Sequence, residues 1–258
     1  HREPVREIRD FLREQKIDSI VLYDMAHVLG LLGPYFQQPF AEGADLVTGS
    51  THKTFFGTQR GIVAGNWREQ DRGYALWESV ESRTFPGSVS NHHLGTLLGL
   101  LMAAYEMNCF RDAYQQAVIR NAKALACALR DAGLQVAGDP EISFTETHQV
   151  IVKVEYARAV EAARRLEESN IICNYQAAPD EEGFTAAGAL RLGVQEMTRF
   201  GMGPEDFRTL AQFIHDVVVG GRPVRKEVAA FRKRFLTMRY CFSEDMFADL
   251  MAKLHRLI

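Results

Sequence analysis

The 258 residues, 47% of them hydrophobic, can bury a substantial core as one large or two ordinary domains. The 30 basic and 33 acidic side chains give a formal charge of −3, so there is no electrostatic reason to expect a nucleic acid or an anionic membrane as a partner. No apolar run approaches the length that a bilayer requires, and the sequence predicts a soluble globular protein with a small substrate.

The cysteines lie far apart and show no CxxC spacing. This pattern predicts neither a metal site nor a disulfide framework, and it favours a reducing, cytoplasmic location. The four are Cys109, Cys127, Cys173 and Cys241.

The first part of the chain alternates helical and strand-like patterns. Helical spacing of apolar side chains predicts helices over residues 4–15 and about 93–107. Apolar runs predict strands over 18–23, 44–48 and 61–66, the first of them buried and ending at Asp24. Such alternation is typical of an α/β fold.

A second, smaller α/β unit is predicted after a boundary near residue 115, which divides the chain into domains 1–115 and 116–258. Its first helix carries apolar residues from Ile119 to Leu129 on one face and stops near Gly133. The other predicted elements are strands over 148–154 and 188–194 and helices over about 157–169 and 204–219. The tail, 226–242, is predicted to be a helix that covers the body of the protein, with a partner surface as the alternative.

Two charged side chains follow strand-like runs, where ligands gather in parallel sheets. Asp24 ends the run 18–23, and Lys53 follows the run 44–48 in "DLVTGSTHKTFFGTQRG". A lysine there can form a Schiff base with an aldehyde, and an aspartate can keep a pyridine nitrogen protonated. The pair suggests pyridoxal phosphate, although a solvated lysine and a helix-capping aspartate remain the ordinary alternatives.

Several motifs together resemble the serine hydroxymethyltransferase family. "YDMAHVLGLL" (23–32) is followed by "THKT" (51–54), and in the same order come "FPGSVSNHHL" (85–94), "NAKALACALRDAGLQV" (121–136) and "ALRLGVQEMTRFGMGPEDF" (189–207). The resemblance covers about residues 1–220. It implies part of the large domain of a fold-type I pyridoxal phosphate transferase, followed by a smaller α/β domain.

The resemblance also implies roles for six residues. Lys53 would carry pyridoxal phosphate as the Schiff-base lysine, and Asp24 would hold the pyridine nitrogen. His27, His52 and Ser50 would lie at the cofactor, with both histidines also counted as catalytic. Arg191 would bind the substrate carboxylate. A core histidine at position 27 and a surface ion pair at position 191 are the structural alternatives.

The sequence departs from the family pattern in three segments. "TFFGTQRG" (54–61) loses an arginine and gains two aromatics, and "SVSN" (88–91) replaces a Gly-rich run expected at the cofactor phosphate of a neighbouring subunit. "NYQAAPDEEGF" (174–184) shortens a loop that helps to hold folate, so tetrahydrofolate is a doubtful second cofactor. The segment 55–61 is therefore expected to set the substrate preference.

The implied reaction makes or breaks the Cα–Cβ bond of a β-hydroxy amino acid, with an aldehyde as the other substrate or product. One alternative is a folate-independent threonine aldolase or transaldolase, and another is a noncatalytic subunit of a split enzyme. The family's phosphate-binding N-terminal half is not in this sequence, which predicts either a missing segment or a companion chain. A homodimer or higher oligomer is also expected.

Overall fold

The protein divides into two compact units, and each is described by itself. The computed structural model describes residues 1–71, 73–183 and 186–256, without the side chains of residues 250 and 254. The first unit comprises Arg2–Cys109, and the second takes in the described residues from Phe110 onward together with His1.

The first unit contains four helices and three strands within the described residues. In chain order they are α1 (Val5–Glu14), β1 (Leu22–Asp24), α2 (Pro39–Glu42), β2 (Leu46–His52), β3 (Phe56–Gly65), α3 (Tyr74–Thr84) and the start of α4 (Leu94–Asp131). A single 3-10 turn, Leu29–Leu31, follows β1. The sequence predicted the helix over 4–15 correctly but missed α2 and α3.

The strands of this unit form one sheet in the order β1-β2-β3. β1 runs parallel to β2, with Leu22 opposite Leu46 and Asp24 opposite Thr48. β3 returns antiparallel to β2 and places Val63 opposite Thr48. Because partners in register share a face, Leu22, Asp24 and Val63 lie on the same side of the sheet.

The opposite side of this sheet holds the core of the first unit. Tyr23, Met25 and Val47 are buried there against Val5 of α1 and Ala44. The Tyr23 hydroxyl lies 3.1 Å from Oε1 of the buried Gln37, to which it donates a hydrogen bond. The core is small and covers one face of the sheet.

The predicted strand 18–23 was too long and was wrongly expected to be buried. Only Leu22–Asp24 forms β1, and Ile20 and Leu22 are 48% and 55% exposed. An apolar run predicts burial, but it does not show whether other segments cover the strand. The prediction was wrong for this reason.

A single helix replaces two that the sequence predicted. α4 runs for 38 residues from Leu94 to Asp131, so the predicted helix at 93–107 continues through Ile119 to Leu129. Its end agrees with the prediction, since Gly133 adopts a φ of 93° and Leu134 N–H donates to the Leu129 carbonyl at 3.0 Å.

The second unit forms a four-stranded sheet in the order β4-β5-β7-β6. The strands are β4 (Gln135–Val136), β5 (Gln149–Lys153), β6 (Asn174–Gln176) and β7 (Ala189–Gly193), and all three pairings are antiparallel. The helices after α4 are α5 (Ala159–Glu168), α6 (Gln195–Arg199), α7 (Pro204–Val218), α8 (Arg225–Arg232) and α9 (Glu244–His255). β5, β7, α5 and α7 match the predicted elements to within a few residues.

One face of this second sheet is buried along β5 and β7. The side chains that close it are each no more than 1% exposed: Tyr114, Val118, Leu125, Leu129, Val150, Val152, Leu166, Leu190, Phe207 and Ile214. Apolar residues at alternate positions of β5 and β7 meet apolar stripes of α4, α5 and α7.

The tail is only partly the helix that the sequence predicted. α8 ends at Arg232, and residues 233–242 form no helix. Phe231 packs edge-on against Phe213 of α7 and against the buried Phe235, so the segment does cover α7. Among the described residues, no helix has the length and apolar character needed to cross a membrane.

Candidate active site

Lys53 lies at the tip of the hairpin that joins β2 and β3. His52 pairs with Phe56, which leaves Lys53, Thr54 and Phe55 as a three-residue loop, and the register shifts between Ser50 and His52. The small residues 48–51 have the composition of a turn, but they belong to β2. Lys53 is half-buried, and none of the described residues forms an ion pair with it.

Asp24 and Ser50 lie on the same face of the sheet. Asp24 ends β1 opposite Thr48, and Ser50 follows Thr48 by two residues on β2. The exposed Asp24 carboxylate accepts a hydrogen bond from Ala26 N–H at 2.8 Å through Oδ1. A cofactor lying along this face would meet the carboxylate and the hydroxyl together.

Thr54 ties the lysine loop to the turn that follows Asp24. Its fully buried hydroxyl accepts a hydrogen bond from Gly30 N–H at 3.0 Å and donates to the His27 carbonyl at 2.8 Å. A Cβ on Gly30 would lie 2.2 Å from the Thr54 carbonyl, so only glycine permits this approach. The two segments are thus held as one site.

The sequence did not predict this role of Thr54 and Gly30. A glycine inside the apolar run "VLGLL" was the available signal, because such a glycine often marks a close approach of two backbones.

The histidines on the two segments differ in exposure. His27 is half-buried in the turn after β1, whereas His52 is exposed at the end of β2. Both lie beside the lysine loop, His27 through the hydrogen bond from Thr54 and His52 as the chain neighbour of Lys53. Their roles remain predictions.

Arg60 attaches β3 to the start of α4. Its guanidinium donates to the His93 carbonyl at 3.0 Å and to the Thr96 hydroxyl. Thr58 Oγ1 donates to the Thr96 carbonyl at 2.8 Å. Most of the divergent segment 55–61 is therefore a strand, and these hydrogen bonds attach it to the start of α4.

The aromatic residues of that segment sit beside the lysine. The rings of Phe55 and Phe56 stack with centroids 6.3 Å apart, and both side chains are half-buried. In contrast, residues 88–91, which the resemblance places near the cofactor phosphate of a neighbouring subunit, are all exposed. The role of 55–61 in substrate preference stays a prediction.

Burial raises the pKa of the Tyr23 hydroxyl to about 12, with a smaller contribution from the carboxylates of Glu3, Glu42 and Asp24. Tyr23 alternates with Asp24 along β1, so it points into the core while the aspartate faces the open side. The tyrosine therefore anchors the strand that presents Asp24.

Arg191 lies in the second unit, in the middle of β7. It pairs with Ile151 on one side and Asn174 on the other, and its side chain is half-buried. No described carboxylate forms an ion pair with it, so the alternative of a surface ion pair finds no support in the described residues. A free planar fork of donors is suited to binding a carboxylate.

The short loop after Asn174 is held together by the side chain of its own Glu181. Glu181 Oε2 accepts hydrogen bonds from Ala178 N–H at 2.7 Å and Gly188 N–H at 3.0 Å. The segment singled out for folate runs to Phe184, which lies outside the described residues.

Two further features of the described part of the chain are the spacing of its potential metal ligands and the state of its cysteines. It contains no group of three His, Cys, Asp or Glu side chains that could hold an ion. All four cysteines are free thiols, and burial raises the pKa of Cys173 to about 11.

The fold and these motifs define part of a fold-type I pyridoxal phosphate enzyme, as the sequence predicted. The serine hydroxymethyltransferase family model matches residues 5–214. The chain belongs to the serine hydroxymethyltransferase family.

Curated relatives support the same assignment. The chain is 44% identical over 251 residues to a serine hydroxymethyltransferase of Archaeoglobus fulgidus, which covers 95% of this chain and 55% of the relative. It is 42% identical over 250 residues to one of Korarchaeum cryptofilum, covering 93% and 56%. The chain thus spans about half the length of the curated relatives it matches.

A solved structure is also similar. The L-threonine transaldolase from Pseudomonas fluorescens, in its internal aldimine state, matches with a TM-score of 0.85 and 31% identity. The match covers 97% of this chain and 57% of the transaldolase chain.

Proposed function

We propose that the protein is, or is part of, a pyridoxal phosphate enzyme that makes or breaks the Cα–Cβ bond of a β-hydroxy amino acid. The observation that carries this is the joining of the Asp24 turn and the Lys53 loop through Thr54, within motifs of the serine hydroxymethyltransferase family. The substrates would be an amino acid such as serine or glycine and an aldehyde.

The residues present fit the cofactor. The donor set combines a strand-end carboxylate (Asp24), a hydroxyl on the same sheet face (Ser50) and an amine in a neighbouring loop (Lys53). Pyridoxal phosphate, when bound, supplies an electron sink for the charge left at Cα. Lys53 would hold it covalently through Nζ, and Asp24 would keep a proton on the ring nitrogen.

The remaining residues would orient the reactants. Arg191 would bind the substrate carboxylate through two of its three guanidinium nitrogens, since no described acid competes for it. His27 and His52 would contact the cofactor or the substrate, and the aromatic rings of Phe55 and Phe56 would exclude water beside Lys53.

A folate-independent aldolase or transaldolase is the second candidate. The similarity to a threonine transaldolase favours it, as does the shortened loop that Glu181 closes on itself. The family assignment and the named relatives favour the hydroxymethyltransferase reaction at least as strongly as those observations favour the aldolase. Tetrahydrofolate therefore stays a second candidate cofactor.

The enzyme would act as an oligomer and in the cytoplasm. The phosphate-binding part of the site would come from a further segment or a companion chain, and the greater length of the relatives supports this. The four free thiols favour a reducing compartment. We expect neither a nucleic acid nor a membrane as a partner.

The test combines the chain with the remainder of the Archaeoglobus fulgidus relative and pyridoxal phosphate. We expect the visible absorbance band of a lysine-bound cofactor, which Lys53→Ala abolishes and the exposed-residue control Lys226→Ala retains. Glycine, serine and threonine are then added with and without tetrahydrofolate.

The products decide between the candidate functions. Aldehyde release that requires tetrahydrofolate supports the hydroxymethyltransferase, and release without it supports the aldolase. A bound cofactor without turnover of any of the three would assign the chain to a noncatalytic subunit.

A further inference from the structure

The second unit contains an apolar cavity of about 540 Å³ beside α6, α7 and α8, which we term the α8 cavity. Its buried lining includes Phe207, Ile214 and Val228, each no more than 7% exposed. Sites that hold small organic ligands have volumes of roughly 300–1,000 Å³, and this cavity falls within that range. Arg191 and the residues proposed to hold the cofactor do not line it, so it is a different site.

Apolar side chains continue from the buried lining to the mouth of the α8 cavity. Ile172, just before β6, is 86% exposed, and Leu236, after α8, is 69% exposed. Met197 and Leu210 are half-buried between the lining and the mouth. A concave apolar surface that opens to water in this way is typical of a site for an apolar ligand.

The charged side chains that line the α8 cavity favour an anion. They are Glu196, Arg232 and Lys233. The Arg232 guanidinium donates to the Phe235 carbonyl and lies 4.7 Å from the centre of the Phe200 ring, so its position is fixed. Lys233 is exposed, and no ion pair joins it to another of the described residues. Because the two cations outnumber the one carboxylate, a single negative charge on the ligand complements the lining.

We propose that the α8 cavity binds a small aliphatic carboxylate, such as a medium-chain fatty acid. Its hydrocarbon chain lies against the buried lining, and its carboxylate lies beside Lys233. The two methionines of the lining, Met197 and Met202, have flexible side chains that adapt to such a chain. α8 lies beyond residues 5–214, which the family model matches, and the inference goes beyond the proposed function without depending on it.

The first test measures how affinity depends on the length and charge of the ligand. Hexanoate, octanoate and decanoate are titrated into the chain by isothermal titration calorimetry, without pyridoxal phosphate and below the concentrations at which the acids self-associate. We expect Kd to fall by about fourfold for each methylene that enters the apolar lining. Decylamine, which has the same chain length as decanoate and the opposite charge, should bind about tenfold more weakly than decanoate.

Methionine methyl signals show where decanoate binds. In NMR spectra of the chain labelled at its methionine methyl groups, the signals of Met197 and Met202 should shift in proportion to saturation. The signal of Met25, which is buried in the core of the first unit, should stay in place. Single Met→Leu variants assign the three signals.

The decisive variants are at Ile172, because a side chain that is 86% exposed can be replaced without unfolding the protein. Ile172→Asp should weaken decanoate binding by about tenfold, since it repels the carboxylate and removes an apolar contact. Ile172→Lys should bind at least as tightly as the unaltered chain. Val160→Asp, at an exposed position of α5 outside the cavity, is the matched control and should leave Kd unchanged.

A charge reversal tests the proposed position of the carboxylate. Lys233→Glu should weaken decanoate binding in the same direction as Ile172→Asp, whereas Lys226→Glu, the same change at an exposed position of α8 outside the cavity, should not.

Three results would overturn the inference. They are the absence of saturable decanoate binding, equal Kd values for decanoate and decylamine, and a Kd that neither Ile172→Asp nor Lys233→Glu raises. Dimers in native mass spectrometry that Ile172→Asp abolishes would also overturn it, in favour of a second copy of the chain. Because binding is measured without pyridoxal phosphate, failure to form a cofactor band at Lys53 would remove the proposed function and leave this inference intact.

Discussion

The two sheets of the protein differ in how completely the chain covers them. In the second unit, the face that carries Val150, Val152 and Leu190 is enclosed by helices. In the first unit, the core cluster lies on one side, and the other side buries Leu46 but exposes Leu22, Asp24 and Val63. The open side is the one that carries Asp24 and Ser50.

The two units therefore differ in what their residues do. The second unit encloses an apolar core between its sheet and its helices. The first unit holds a hairpin and a turn together around Lys53 and leaves the adjoining surface open. The candidate cofactor residues Asp24 and Ser50 thus lie on the less covered face of their sheet.

The largest effect is expected from Leu190→Ala in the enclosed sheet. Leu190 is 0% exposed, and truncation leaves a cavity, so the second unit should lose about 2–5 kcal/mol of unfolding free energy. Urea unfolding followed by circular dichroism measures the loss. A loss below about 1 kcal/mol would mean that this core is not closed, and it would contradict the difference in coverage between the two sheets.

Thr54→Val tests the cross-link within the open unit. Valine has the same shape but lacks the hydroxyl that bonds Gly30 N–H and the His27 carbonyl, and we expect this loss to cost about 1–3 kcal/mol. Faster hydrogen exchange at the Gly30 amide should accompany the loss, and Thr54→Ser should restore the protection. Unchanged exchange in Thr54→Val would show that the hydroxyl does not hold the two segments together.

The pH dependence of Tyr23 tests whether the inner face of the first sheet is dry. Its pKa is raised to about 12 when folded, against about 10 when unfolded, so below about pH 10 both states keep the proton and stability does not change. As the pH rises above that value the unfolded state loses its proton first, and stability falls.

Between about pH 10 and 11 the unaltered protein should lose roughly 1 kcal/mol more than Tyr23→Phe does. Urea unfolding at each pH provides the measurement. Parallel pH profiles for the two proteins would contradict a buried phenol.

The smallest effect is expected from Leu22→Ala. The side chain is 55% exposed, so in the isolated chain the change in unfolding free energy should stay within about 0.5 kcal/mol. The same urea titration measures both variants, so the changes in unfolding free energy of Leu22→Ala and Leu190→Ala can be compared directly for an open and an enclosed sheet. A loss of about 2 kcal/mol or more would place Leu22 in a covered core.

The sequence predicted those features that depend on local pattern or on motifs. Periodicity gave α1, α5, α7, β5 and β7, and Gly133 marked the end of α4. The paired motifs around Asp24 and Lys53 predicted the family, which the relatives confirm.

The remaining features depend on contacts between distant residues. The hairpin at Lys53 could not be predicted because Gly49, Ser50 and Thr51 have the composition of a turn, yet they pair with β3. Leu22 is exposed because no other segment of the described chain packs over it. The role of Thr54 depends on Gly30, which lies 24 residues away. Local pattern carries neither kind of information.

The central claim is that Lys53 is the residue that holds pyridoxal phosphate. The most direct measurement is borohydride reduction of the assembled complex with the cofactor, followed by peptide mass spectrometry. We expect a phosphopyridoxyl group on Lys53. A group on a different lysine, or on none, would contradict it.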